Sequence, residues 1–142
     1  MSQSHLIKRK LIIRPLFHQV DMMGVVHNAQ YFFWFEEGRL QIATEVLPLQ
    51  EALRRGVAMP VVENLCHYRS PVRFGDELVL HTTHRLQAEY EGRLEFEHSL
   101  VNTTTKIEAA SGMTVTTLVD LNAHQLVRHW PEDLWRRYQE LK

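Results

Sequence analysis

A single cysteine, Cys66, stands in a chain of 142 residues. A lone thiol closes no internal disulfide, so a small cross-linked secreted scaffold is excluded and a reducing, cytoplasmic compartment is expected. Charge of one sign is also missing. Sixteen Lys and Arg stand against seventeen Asp and Glu, a formal net charge of −1, which leaves no overall basic field for a nucleic-acid backbone. No apolar stretch approaches the ~20 residues of a bilayer span, and Leu11-Ile12-Ile13 after Lys8-Arg9-Lys10 is too brief for the apolar part of a secretory signal. A soluble protein with no membrane or nucleic-acid partner is expected. At roughly 100–200 residues per domain the length suits one domain, residues 1–142, so an active site is built from one core or shared between subunits. The G-x-S-x-G elbow, the phosphate loop and the dinucleotide fingerprint are all absent. Nine histidines are present, yet they are scattered, and His81 and His84 fall on opposite faces of an alternating segment. No metal-ligand spacing emerges. Cys66 and His67, neighbours in another alternating segment, diverge and form no nucleophile–base pair.

What the chain does have is periodicity. Residues 5–13 set Ile7, Leu11 and Ile13 against Lys8 and Lys10 at a spacing of two, the pattern of a half-exposed strand. From 28 to 47 there is no proline, and Tyr31, Phe35, Gly38, Ile42 and Val46 recur at intervals of three and four, which predicts a long helix ending at Pro48. Aromatics on nearly every side of its first turns predict that it is enclosed. Gly38 on the buried stripe costs up to ~1 kcal/mol relative to Ala, which a close approach to another backbone would offset. Residues 57–70, 77–88, 93–102 and 106–121 read as four strands. In the second, Leu78, Leu80, Thr82 and Leu86 share a face opposite Glu77, His81, Thr83 and Arg85; in the third, Leu94, Phe96, His98 and Leu100 oppose Glu95, Glu97 and Ser99. The connections are too short for parallel crossovers, so the pairing is antiparallel. Pro131 with Leu134, Tyr138 and Leu141 predicts a short C-terminal helix. The fold class is α+β, with a curved antiparallel sheet of about five strands wrapped around one long helix.

Polar groups concentrate between the first strand and that helix, in Asp21-Met22-Met23-Gly24-Val25-Val26-His27-Asn28. Asp21 is placed to attack a carbonyl or to act as the base for water, both of which need its ionised form. Alone, D-x-x-G is more often a turn. Asn28 suits an N-cap, and the first amides of a helix lack partners within it. Those donors and the helix dipole polarise a carbonyl placed there. His27 either assists by hydrogen bonding or caps the helix, and Tyr31 is a pocket wall. Arg69 and Arg73 are weak candidates for phosphate contact, since such residues are usually solvated.

The run Asp21-x-x-Gly24-Val25-Val26-x-x-x-x-Tyr31-x-x-x-Phe35-Glu36-x-x-Arg39, with Tyr68-x-x-Pro71 and Phe74-Gly75-Asp76, resembles the hotdog-fold acyl-CoA thioesterases of the 4-hydroxybenzoyl-CoA thioesterase type. The resemblance implies hydrolysis of an acyl-CoA or acyl-carrier-protein thioester, with no cofactor beyond the coenzyme A of the substrate. It implies that Asp21 is catalytic, that the Asn28 amide polarises the thioester carbonyl with His27 nearby, and that Gly24, Val26 and Tyr31 meet the substrate, whose acyl chain follows the long helix. It further implies a homodimer joined sheet edge to sheet edge, or a homotetramer of two such dimers. Gln19 stands where many relatives have an acidic residue, and His27-Asn28 where one branch has Tyr-His. A non-catalytic acyl-thioester binding module and a hotdog dehydratase remain as alternatives.

Overall fold

The computed structural model describes residues 5–142. Strand β1 (Leu6–Ile13) leads through a 3-10 turn, Phe17–Gln19, to helix α1 (Gln30–Val46), and helix α2 (Leu49–Arg55) follows at once. Next come β2 (Val57–Ala58), β3 (Val61–Tyr68), β4 (Leu78–Arg85), β5 (Leu94–Asn102), β6 (Glu108–Thr116), β7 (Val119–Asp120), β8 (Gln125–Leu126) and helix α3 (Glu132–Gln139). Five strands form one antiparallel sheet in the order β1-β4-β5-β6-β3. This is the expected sheet on one long helix, the hotdog arrangement. A second sheet, β2-β7-β8, lies outside that expectation. It arises because two of the expected strands divide: 57–70 breaks at Pro60, which has no N–H to continue a ladder, and 106–121 breaks between Thr116 and Val119.

Helix α2 was also not anticipated. Its seven residues are too few to show periodicity, but its ends are well marked, with Pro48 before it and Gly56 after it in the left-handed region at φ +72°. Helix α1 starts two residues later than expected and buries Tyr31, Trp34, Phe35, Gly38, Arg39, Ile42 and Val46. Its first half packs with Val72, Leu78, Leu80, Leu100 and Ala110, and its second half with Ile7, Leu94, Phe96, Tyr138 and Leu141. Gly38 permits the close approach, although to side chains of β4 and not to backbone: a Cβ there would collide with Thr82 Oγ1 and meet Leu80 Cδ2 at 2.8 Å.

Along β4 and β5 the buried residues alternate as expected, Leu78, Leu80, Thr82 and His84 on one strand and Leu94, Phe96, His98 and Leu100 on the next. Strand β3 differs. It lies at the sheet edge and is exposed along nearly its whole length, with Val61, Val62, Leu65 and Tyr68 among the exposed apolar residues.

Candidate active site at the amino end of the long helix

The segment between β1 and α1 folds back on itself. His27 N–H donates to Gln19 O (2.9 Å), Val20 and Val26 form an antiparallel bridge, and Asp21 N–H donates to Val25 O (2.9 Å). Gly24, at φ +78°, supplies the left-handed conformation that closes this small hairpin. The hairpin is tied to the strand connection after β3, because Val26 N–H donates to Val72 O (2.7 Å) and Val25 bridges Arg73. Burial of the Val26 side chain, only 4% exposed, fixes the hairpin against the core.

Asp21 holds the turn it opens. Its Oδ1 accepts the Met23 N–H at 2.8 Å and the Val25 N–H at 3.4 Å, and the residue is exposed. In a single chain its carboxylate therefore faces solvent at the hairpin and does not line the cavity described next.

Asn28 is not the N-cap. Ala29 occupies that position with helical dihedrals (φ −68°, ψ −23°), so the first turn has already begun, and no side chain of the cap residue bonds an amide. His27 supplies the capping group, its Nδ1 accepting the Ala29 N–H at 3.1 Å. A neutral His27 thus carries its proton on Nε2, where it is a donor and not a base. The Asn28 carbonyl accepts the Tyr68 hydroxyl at 2.7 Å. Among the described residues the Asn28 N–H has no acceptor. The carbonyl of the same peptide group, that of His27, accepts the Gln30 N–H at 3.0 Å, which polarises the amide and strengthens it as a donor.

A cavity of about 260 Å³ opens at this point, walled by Val25, Val26, Asn28, Tyr31, Tyr68 and Pro71. The Tyr31 and Tyr68 rings meet edge to face with centroids 4.9 Å apart. Burial first, then the neighbouring Cys66 and Tyr68, push the Tyr31 phenol up to about 12, so it remains a protonated wall. Burial also pushes the Cys66 thiol up, which removes it further from nucleophilic use. Arg69 borders the cavity but pairs with Glu108 at 2.9 Å.

The structure thus brings Val26, Asn28 and Tyr31 together and leaves Asp21, Gly24 and His27 on the adjoining hairpin. Tyr68 was missed as a site residue. Its signal lay in the Tyr68-x-x-Pro71 pattern, but its reach to Asn28, forty positions away, depends on β3 lying beside the helix start. The arrangement sets a residue with an unpaired amide on the wall of a small open cavity, with a carboxylate on the adjacent loop.

A helix-filled antiparallel sheet with a donor site at the helix start defines the hotdog class. The profile of the Thioesterase-like superfamily matches residues 15–137, and the chain belongs to that family. Over 79 residues the chain is 32% identical to the protein provisionally named acyl-CoA thioesterase YneP of Bacillus subtilis, covering 55% of this chain and 56% of that one. Over 99 residues it is 29% identical to a chloroplastic acyl-acyl carrier protein thioesterase of Arabidopsis thaliana, covering 69% and 49%. The chain thus spans about half the length of these relatives. Among solved structures, the hypothetical protein TT1821 of Thermus thermophilus superposes with a TM-score of 0.78 at 28% identity, covering 94% of this chain and 98% of that one. The DHNA-CoA thioesterase of Staphylococcus aureus gives 0.82 at 18% identity over 94% and 90%. The latter likeness is one of fold.

Proposed function

We propose that the protein is a thioester hydrolase acting on acyl-CoA, with acyl-carrier-protein thioesters as the nearest variant. The observation that carries this reading is that Asn28, whose amide has no acceptor among the described residues, lines a small cavity at the helix start. Membership of the Thioesterase-like superfamily and the names of the relatives support it. The thioester oxygen accepts the Asn28 N–H, with Gly24 and Val26 on one side and Tyr31 on the other. Charge that develops on that oxygen during attack is then met by a donor already in place. Asp21 either takes a proton from the attacking water or attacks the carbonyl itself, forming an anhydride that water then opens. In both routes the C–S bond breaks, the thiol leaves with a proton, and water supplies the new oxygen of the free acid. The reaction calls for no metal or redox group.

The exposed Asp21 needs a closing surface, and the bare edge of β3 supports a second copy as that surface. A free edge strand with apolar side chains is a ready template for pairing. Tyr68 belongs both to that edge and to the cavity wall, so a sheet paired along β3 borders the site. We therefore read the protein as an edge-to-edge homodimer that can pair again into a tetramer. The lone Cys66 fits a cytoplasmic setting, and no helix among the described residues is long and apolar enough to cross a membrane.

A non-catalytic acyl-thioester binding module is the second reading, favoured by the use of Asp21 Oδ1 within its own turn. Thiol release measured across short, long and aromatic acyl-CoAs decides between them. Turnover that falls by ~10²–10⁴ in Asp21→Asn supports hydrolysis. A wild-type protein that binds these thioesters yet releases no thiol supports binding alone, and loss of water without thiol release would indicate a dehydratase.

A further inference from the structure

A second cavity, of about 370 Å³, lies beside the C-terminal half of α1 and shares no lining residue with the first. Trp34 and Phe35, 3% and 0% exposed, fill the interior on the turns between the two. In the single chain the two cavities are separate spaces. Its volume is at the lower end of the ~300–1,000 Å³ typical of small-molecule sites. Ile42, Ala52, Phe96, Leu118 and Leu134 give it a largely apolar wall drawn from α1, α2, β5 and the C-terminal segment.

Among the polar residues of that wall are Arg39 and Trp130, and among the described residues Arg39 Nε and Trp130 Nε1 are buried without a hydrogen-bond partner. Arg39 is the more telling. It is 6% exposed, and the one ion-pair partner it has among the described residues is the half-exposed Glu36, whose oxygen is 3.8 Å away, too far for a hydrogen bond. A guanidinium has five donors and does not escape burial by losing its proton. Burying its Nε without an acceptor is costly in a folded interior, and the terminal nitrogens are the donors left for a ligand. The buried His84 and Tyr138 at the wall are satisfied. His84 donates from Nδ1 to Glu95 O (2.8 Å), and its Nε2 accepts the Tyr138 hydroxyl (2.8 Å).

We propose that this cavity is a second ligand site, for an aliphatic carboxylate of medium chain length. The terminal nitrogens of Arg39 take the carboxylate, and the apolar wall takes the chain. One guanidinium matches one monoanion, for which its planar fork is suited. A phosphate dianion is poorly matched, since Glu36 at the rim already opposes a second negative charge. Binding here does not depend on the thioesterase reading.

Calorimetric titration of the full-length protein with monomeric decanoate, and separately with decanol, tests the site. Decanoate is expected to bind once per chain and about 10-fold or more tighter than decanol, the margin of a charge-assisted hydrogen bond. Arg39→Met is expected to remove that margin while decanol still binds. Ala43→Phe, which fills the cavity, should abolish both. Equal affinities for the acid and the alcohol in wild type, or a margin that survives Arg39→Met, would overturn the proposal. So would displacement of decanoate by coenzyme A thioesters occupying the helix-start site. A protein that binds decanoate at Arg39 but hydrolyses no thioester would refute the proposed function alone.

Discussion

The ring of His98 on β5 stacks on that of Phe35 on α1, with centroids 4.4 Å apart and planes 4° from parallel. The histidine is also the middle of a buried polar ladder across the sheet. Thr114 Oγ1 donates to Asn64 Oδ1 at 2.8 Å, so it has only lone pairs to offer His98 Nε2 at 3.1 Å. Nε2 must then carry the proton, and Nδ1 accepts the Thr82 hydroxyl at 3.2 Å. The neutral ring has a hydrogen-bond partner at both nitrogens.

Burial first and the nearby Arg39 charge second push His98 down to about 3, from an ordinary 6.5. The unfolded chain therefore accepts a proton that the folded one refuses. Stability is full above about pH 6.5 and is lost as pH falls from there toward 3, by about 1.4 kcal/mol per pH unit from this residue. Burial lowers His84 as well, in the same sense. Urea titrations at stepped pH check this: His98→Gln, though less stable near neutrality, is expected to show a shallower fall below pH 6.5 than wild type. An unchanged slope would mean that other groups carry the acid sensitivity.

The helix and sheet approach each other at two glycines, and the two should respond differently to a methyl group. At Gly38 the obstruction is side chain and not backbone, the buried Thr82 Oγ1 and Leu80 Cδ2, and alanine recovers up to ~1 kcal/mol of helix propensity. At Gly112 a Cβ meets the Phe35 ring and, at 2.6 Å, the backbone oxygen of Leu65. Neither yields without moving β3 or the Phe35–His98 stack. Gly112→Ala is expected at the upper end of the ~1–3 kcal/mol cost of overpacking, and Gly38→Ala at the lower end. Denaturation midpoints in the reverse order would place the tighter contact at α1.

Tyr138 ties the C-terminal helix to the sheet through one oxygen. Its hydroxyl donates to His84 Nε2 at 2.8 Å and accepts the Gln87 N–H at 2.9 Å. Tyr138→Phe keeps the ring, which is 3% exposed, and orphans both partners. A loss of about 1–3 kcal/mol is expected, measured by thermal and chemical unfolding. A loss near zero would show that water replaces the hydroxyl.

The sheet was legible in the sequence because β4 and β5 bury one face and wet the other, so a period of two survives in Leu78, Leu80 and Thr82 and in Leu94, Phe96 and Leu100. The long helix was legible because its stripe persists for several turns. Strand β3, exposed along most of its length, carries little such signal, and α2 is too short to carry one. At the site, the Asp21–Gly24 turn was readable as local chemistry. Its neighbours were not: the cap belongs to His27 and not Asn28 because of a side-chain hydrogen bond that composition does not encode, and Tyr68 enters only through tertiary contact. Arg39 appeared in the sequence as the end of a family-like pattern, and only its burial without a hydrogen bond marks it for a separate role.

The Tyr68 hydroxyl bonds the Asn28 carbonyl from a strand edge, so it positions the helix start without needing to touch the thioester. Removing it in Tyr68→Phe costs at most about 0.5–1.5 kcal/mol of stability, because the residue is half exposed and water can replace the bond. The consequence for turnover differs from that for Asp21. A loosened first turn lets the Asn28 amide drift from the developing oxyanion, so kcat is expected to fall about 10-fold with KM nearly unchanged, the mark of an interaction strengthened in the transition state. The pH dependence of kcat should keep its wild-type form, since the base is untouched. A rise in KM at constant kcat would instead make Tyr68 a wall of the binding cavity and leave the orientation of Asn28 to the His27 cap.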